Sequence, residues 1–470
     1  MDRSIAILGV LLVYLAGLLW IGWRAGGNTH GARGFYLGGR TLGPWVAALA
    51  ANASSSSAWS LVGTSGFAFQ HGLAALWLIP GCVGGFLLNW LCIAPRVRDR
   101  TGGAVTMTEL LAGKPGEPGR AAVLLLATML TLGALLTYVA AQMQAAGAAF
   151  LHAFDAPLWL GVLIGAAMTI GYTLLGGYLA ASLTDTVQGL LMAAVAVLVP
   201  VAAVIHLGGP GALGEAMATV DSAAFRDPFG GRSGLVAAGF ALGLSGIALG
   251  YPGQPHAMNK YMGMAPGANM TVARTVGIGW AVVLYSGMIV LGWAGRVLVR
   301  LPAGGHEEVL YAVTDALFHP VLAGVVLAAV LAAIMSTVDS QLLVCGSCVT
   351  HDLGLLRARP VAGDERMLRA ARITVLLIGG GATVAGIVVP KNIFDNVMFA
   401  WAALGSAFGP VLIVHLWRGP IRPWWTFLAM VAGGGGAITG FYWPVLAGGF
   451  ADRVLAWLLA LAIAWLGVRR

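Results

Sequence analysis

The chain has 470 residues, 59% of them hydrophobic and 9% charged, with a mean hydropathy of +0.86. Soluble domains carry roughly 25% charged residues, so the composition excludes an ordinary water-soluble protein and points to a polytopic membrane protein in a lipid bilayer. The net charge of +8 does not argue for nucleic acid, because the basic residues fall in short gaps between apolar segments, without basic runs interleaved with aromatics, and are read as topology determinants.

The first apolar run, Ser4–Trp23, is too long for a secretory signal, and Arg24 follows it without a small-residue cleavage site. It reads as a retained transmembrane helix. At about 20 apolar residues per span, the sequence predicts thirteen segments. They lie near 4–23, 43–68, 73–95, 121–153, 157–178, 183–207, 234–263, 270–299, 318–350, 369–390, 393–418, 424–446 and 451–468. With the N-terminus outside, 19 of the 26 Lys/Arg fall in cytoplasmic gaps, among them Arg24, Arg33, Arg96, Arg98, Arg100, Arg357, Arg359, Arg418 and Arg470. The seven others are Arg3, Arg226, Arg232, Arg296, Arg300, Lys391 and Arg453. This asymmetry places the C-terminus in the cytoplasm of a plasma (inner) membrane protein.

The second segment contains ANASSSSAWSLVGTSG, residues 51–66, a polar knot within apolar sequence. The seventh contains IALGYPGQPHAMNKYMG, where two prolines and two glycines within seven residues cannot sit in an unbroken helix. Two discontinuous segments five places apart are a sequence pointer to a transporter's binding site. Most of the 69 glycines are packing residues between helices. His256 and Lys260 flank the second break and read as side chains snorkelling to the interface. Most tryptophans and tyrosines read as interface-belt residues.

The ninth segment, LAAIMSTVDSQLLVC, places Ala333, Ser336, Thr337 and Ser340 on one helix face, with Asp339 one residue off the stripe. Sodium is a hard cation that takes oxygen ligands, as other hard metal ions do. An unwound segment supplies carbonyls freed of their helical partners, here near Ala53 and Ser56, and hydroxyls of Ser336 and Thr337 complete the shell. Asp185, in GYLAASLTDTVQGLLM, is an intramembrane carboxylate and so a functional-site candidate. Cys82, Cys92, Cys345 and Cys348 lie in apolar segments; without a second pair or flanking His, Cys345 and Cys348 read as small core residues.

The stretches GGRTLGPW, ASSSSAWSLVGTSG, YTLLGGYLAASLTDTVQ, LGYPGQPH, LAAIMSTVDSQLLVC and FAWAALGSAFGPV occur in order. Together they closely resemble the sodium/solute symporter family, and within it the sodium/proline symporters, from about Gly38 to Gly409. The resemblance implies an all-α fold with a LeuT-type inverted repeat of five plus five helices. The first repeat would be 41–207 and the second 234–418, with an extra helix and loop in 1–40 and two C-terminal helices in 419–470.

The resemblance further implies a main Na+ site at Ala53, Ser56, Ala333, Ser336 and Thr337, the residues the spacing also selects. It implies a second cation position at Asp185, Ser336, Asp339 and Ser340. Substrate contacts of proline-type members fall on Ser57, Trp59, Tyr138, Tyr251 and Pro255. Three positions depart from that pattern: Ser55 stands where those members have Asp, Ile247 where they have Trp, and Asp339 where they have an uncharged residue.

The expected function is sodium-coupled import of a small carboxylate-bearing solute, proline or a related amino acid, by alternating access. Competing readings are a monocarboxylate or pantothenate as solute, or proton coupling through Asp185 and Asp339. A membrane sensor or membrane enzyme is disfavoured. No catalytic set is evident, no obligate protein partner is implied, and the sequence given ends two residues past the last segment.

Overall fold

The computed structural model describes the chain except residues 1–2, 26–33, 35, 102, 221, 356–363, 389–392, 444–448 and 470. Arg33, Arg357, Arg359, Lys391 and Arg470 of the topology argument therefore lie outside the described residues. Among the described residues there is no strand, and the only ladder contacts are isolated bridges at Leu42–Met264 and Ile421–Val468. Large apolar side chains such as Leu235, Leu377 and Ile205 stand exposed along the helices, as a lipid-facing belt requires.

Helix α1 (Arg3–Ala25) is the first segment. The second segment is broken as expected. Helix α2 (Pro44–Ser54) begins with Pro44 at a position where its missing N–H costs nothing. It stops at Ser55–Ser57, and helical structure resumes at Ala58. At this stop the Ser54 and Ser55 hydroxyls donate back to the Ala51 carbonyl at 3.2 and 2.7 Å, competing with the helix ladder. Beyond the break comes α3 (Thr64–His71).

Helix α4 (Arg120–Phe154) and α5 (Leu158–His206) follow. The latter holds two expected segments joined at Gly177, whose φ of 59° is a left-handed value that favours glycine. The seventh segment is also broken: α6 (Gly234–Ser245) leads to a short turn at Tyr251–Gly253, an extended Gln254 and then α7 (Pro255–Met262). Next are α8 (Met270–Leu298), α9 (Val309–Leu317), α10 (Pro320–Ser347), α11 (Asp364–Val388), α12 (Ile393–Arg418), α13 (Pro423–Tyr442) and α14 (Ala456–Leu466).

The count of thirteen spans is not established. Eight described helices are long and apolar enough to cross a bilayer, or nine if the pair Trp59–Trp77 and Ile79–Arg100, bent by 66°, is one span. Breaks and short pieces keep some of the other segments below that length, while the unbroken 20-residue helix Pro423–Tyr442, with four glycines in a row and two tryptophans, is long enough but not among the spans that pass on apolar composition.

The two broken segments are held against each other and against their neighbours. The Leu42 N–H donates to the Gly263 carbonyl at 3.2 Å and the Ala265 N–H to the Leu42 carbonyl at 3.0 Å, joining the start of the first to the end of the second. Helix α12 packs its backbone on the second break: a Cβ on Gly253 would lie 2.6 Å from Gly405 Cα. Asn52, in the last turn of α2, donates to the Gly277 carbonyl at 2.6 Å and accepts from Trp90 Nε1 at 2.9 Å, so its position before the break is fixed from two sides.

Candidate functional site

The first break faces α10. The Ser336 hydroxyl donates to the Ala53 carbonyl at 3.2 Å and to its own helix at the Ala333 carbonyl at 3.3 Å. The Ser56 and Thr337 hydroxyls are buried without a hydrogen-bond partner. Elsewhere in the helices Thr169, Thr173, Thr186 and Thr383 turn their hydroxyls onto the carbonyl four residues back, at 2.7 to 2.8 Å. Thr337 does not, which leaves a buried oxygen available to a ligand. The Ser336 hydroxyl thus meets the Ala53 carbonyl, and Ser56, Ala333 and Thr337 on the same two segments are fully buried; neutral oxygens of this kind suit a desolvated monovalent cation.

Asp185 and Ser340 also meet, with the Ser340 hydroxyl 3.5 Å from Asp185 Oδ2. Asp185 is not a solvated helix end: it is 0% exposed. Its partner is Lys260, whose Nζ donates to Asp185 Oδ2 at 2.7 Å and to Ser182 Oγ at 3.2 Å. The expectation that Lys260 and His256 snorkel to the interface is overturned, since they are 1% and 0% exposed. The break shortens α7 to eight residues, so its side chains remain inside the bundle. Asp339 accepts a hydrogen bond from Tyr172, which also bonds Thr184. The second oxygens of Asp185 and Asp339 have no partner.

The proposed solute contacts converge less completely. Tyr138 donates to Ser57 Oγ at 3.3 Å, and Ser57 Oγ accepts from the Trp59 N–H at 3.2 Å. A small cavity of about 10 Å³ is bounded by Ser55, Trp59, Tyr138, Tyr251, Tyr285 and Trp401, among others. That volume holds about one water, so the walls are closed together. Pro255 begins α7 and is buried, but does not line this cavity. Trp59, Trp90, Trp280, Trp401 and several tyrosines are core residues rather than an interface belt.

Sequence reasoning missed several of the walls. Tyr285 stands 3.0 Å from the Ser60 hydroxyl and 3.3 Å from that of Tyr251. The Trp401 ring packs edge-on against Tyr251 at 4.7 Å, and its Nε1 donates to the Ile247 carbonyl at 3.2 Å. Gln142 accepts the Ala58 N–H at 3.1 Å, satisfying one amide of the break. Aromatic and amide residues in apolar segments carried no spacing signal to mark them.

Larger cavities, about 470 and 390 Å³, lie toward the face that carries His306–Glu308. Asp155, Glu307, Glu308 and Asp395 line them, giving that vestibule an acidic character that raises local cation concentration. At the smaller cavity, residues of both broken segments meet the aromatic walls.

The model of the sodium:solute symporter family matches residues 35–431. The osmoregulated proline transporter OpuE of Bacillus subtilis is 35% identical over 92% of this chain and 87% of its own. The sodium/proline symporter of Escherichia coli is 32% identical over 88% and 83%. Among solved structures, a Na+-coupled sialic acid symporter in a substrate-bound outward-open state superposes with a TM-score of 0.83 at 17% identity, covering 99% of this chain and 98% of that one. Mhp1, a nucleobase-cation-symport-1 family transporter in a closed conformation, gives 0.60 at 15%, covering 93% of each. The fold is an all-α polytopic membrane protein with a LeuT-type inverted-repeat core. Two broken segments, their facing hydroxyls and the match over most of the chain lead to one conclusion: this protein belongs to the sodium:solute symporter family.

Proposed function

We propose that the protein imports proline or a closely related amino acid together with sodium across the plasma membrane, by alternating access. The observation that carries this reading is the meeting of the Ala53 carbonyl with the Ser336 hydroxyl across the first break, with the adjacent Thr337 hydroxyl buried and unpartnered. Sodium would be held by the carbonyls of Ala53, Ser56 and Ala333 and the hydroxyls of Ser336 and Thr337. The solute carboxylate would face the positive half-helix ends at the two breaks. Its apolar part would pack among Trp59, Tyr138, Tyr251 and Trp401. Relatives whose names state proline transport support this solute class.

Moving one charge inward across about 100 mV releases roughly 2.3 kcal/mol, enough for about a 50-fold solute gradient per sodium at ~1.4 kcal/mol per tenfold. The arginine-rich gaps support an outside N-terminus and a cytoplasmic C-terminus. Residues 41–207 and 234–418 would be the two repeats that move against each other. A radiolabelled-solute screen in proteoliposomes, with and without a sodium gradient, tests the reading. Proline accumulation that depends on the sodium gradient is the expected result; accumulation of another solute alone, or none, would refute it.

A further inference from the structure

We propose that the Lys260 ammonium is a built-in second cation, so that the protein carries one sodium ion per cycle. This rests on the transport reading above and concerns its stoichiometry. The second cation position would use Asp185 and Ser340. In the structure that carboxylate already holds a cation: Lys260 Nζ lies 2.7 Å from Asp185 Oδ2 and 3.2 Å from Ser182 Oγ. The same nitrogen sits over the Tyr178 ring at 5.0 Å, a further favourable contact for a positive charge. Ser340 reaches the same carboxylate oxygen, at 3.5 Å. An ammonium is a compact point charge with three donors, so it meets the same carboxylate and hydroxyl oxygens that a small alkali ion would. Being tethered to α7, it supplies the charge without drawing on any gradient.

The charge balance supports the same stoichiometry. Asp185, Asp339 and Lys260 are all buried and close in this region. Two carboxylates and one ammonium leave one negative charge. A single sodium at the main site, on the same helix as Asp339, brings the sum to zero. A second sodium would leave a buried positive charge without a partner, which is costly in a low-dielectric interior. Asp185 is thus balanced by Lys260, and Asp339 by the transported ion.

The test is the ratio of ²²Na+ to solute flux in sealed proteoliposomes, with the sodium activation curve recorded alongside. The wild type is expected to give a ratio of one and a hyperbolic curve. Lys260→Met frees Asp185, and the ratio is expected to rise to two with a sigmoidal curve. Where Lys260→Met is not monodisperse in detergent, the paired variant Asp185→Asn/Lys260→Met removes both charges together and is expected to keep a ratio of one. A wild-type ratio of two would overturn this proposal alone. So would a folded Lys260→Met at a ratio of one, or a paired variant that gains a second sodium. Absence of any sodium-coupled flux in the wild type would instead overturn the transport reading, and this proposal with it.

Discussion

The Ser336 hydroxyl lies 3.2 Å from the Ala53 carbonyl oxygen, across 283 residues of chain. That contact joins the last turn of α2, just before the helix breaks, to the middle of α10. It explains why a serine run is placed inside an apolar segment: unwinding exposes oxygens that are satisfied from the facing helix rather than by lipid.

Trp401 is expected to set affinity for the solute. Its ring packs on Tyr251 at 4.7 Å and its Nε1 anchors the Ile247 carbonyl. Trp401→Ala should raise the half-saturation concentration for proline about tenfold, the worth of one well-placed aromatic contact, with Trp401→Phe much milder. Uptake kinetics in proteoliposomes measure this; unchanged half-saturation in Trp401→Ala would remove the residue from the site.

Gly253 is expected to be intolerant of any side chain. A Cβ there would lie 2.6 Å from both Gly405 Cα and the Leu404 carbonyl oxygen, and neither backbone can yield locally. Gly253→Ala should destabilise the protein by about 1–3 kcal/mol and lower uptake through displacement of the second break. Thermal unfolding in detergent, together with uptake, checks it; a variant equal to wild type in both would contradict the close approach.

The turn after residue 105 carries a pH-dependent clamp. Glu109 accepts from the Val105 N–H at 2.8 Å and pairs with His351 at 3.0 Å, while the Thr106 hydroxyl accepts the Glu109 N–H at 3.0 Å, a capping arrangement. Burial pushes the Glu109 carboxyl up, but the His351 and Val105 hydrogen bonds outweigh it and hold it below the usual carboxylate range. A carboxylate depressed in the folded state adds stability above its unfolded pKa, near 4.3, and that contribution is lost as pH falls through the folded value. Glu109→Gln should therefore cost about 1 kcal/mol at neutral pH, with the deficit narrowing only once pH falls through the folded carboxyl value. Thermal melts of both proteins at several pH values test it; a deficit independent of pH would rule out the charge.

Much of this arrangement was legible in the residues. Proline and glycine chemistry located the second break, and the serine run located the first, because both act locally on the helix ladder. The hydroxyl stripe on α10 followed from helical spacing. The pairing of Lys260 with Asp185 did not, because it joins residues 75 apart on different helices, and nothing within either segment encodes that distance. The half-helix that holds Lys260 inside the bundle also defeated the snorkelling expectation. Tyr285 and Trp401 were invisible for another reason: in an apolar segment, an aromatic that lines a cavity has the same local signature as one that faces lipid. The count of thirteen spans is not established where short helices and bends interrupt the apolar runs.

The sodium dependence of proline uptake in proteoliposomes, compared between wild type and Thr337→Ala at fixed membrane voltage, bears most directly on the cation site. The wild type should accumulate proline under an inward sodium gradient, and Thr337→Ala should lose that stimulation while remaining monodisperse. Unaltered sodium stimulation in Thr337→Ala would contradict the placement of the ion between the first break and α10.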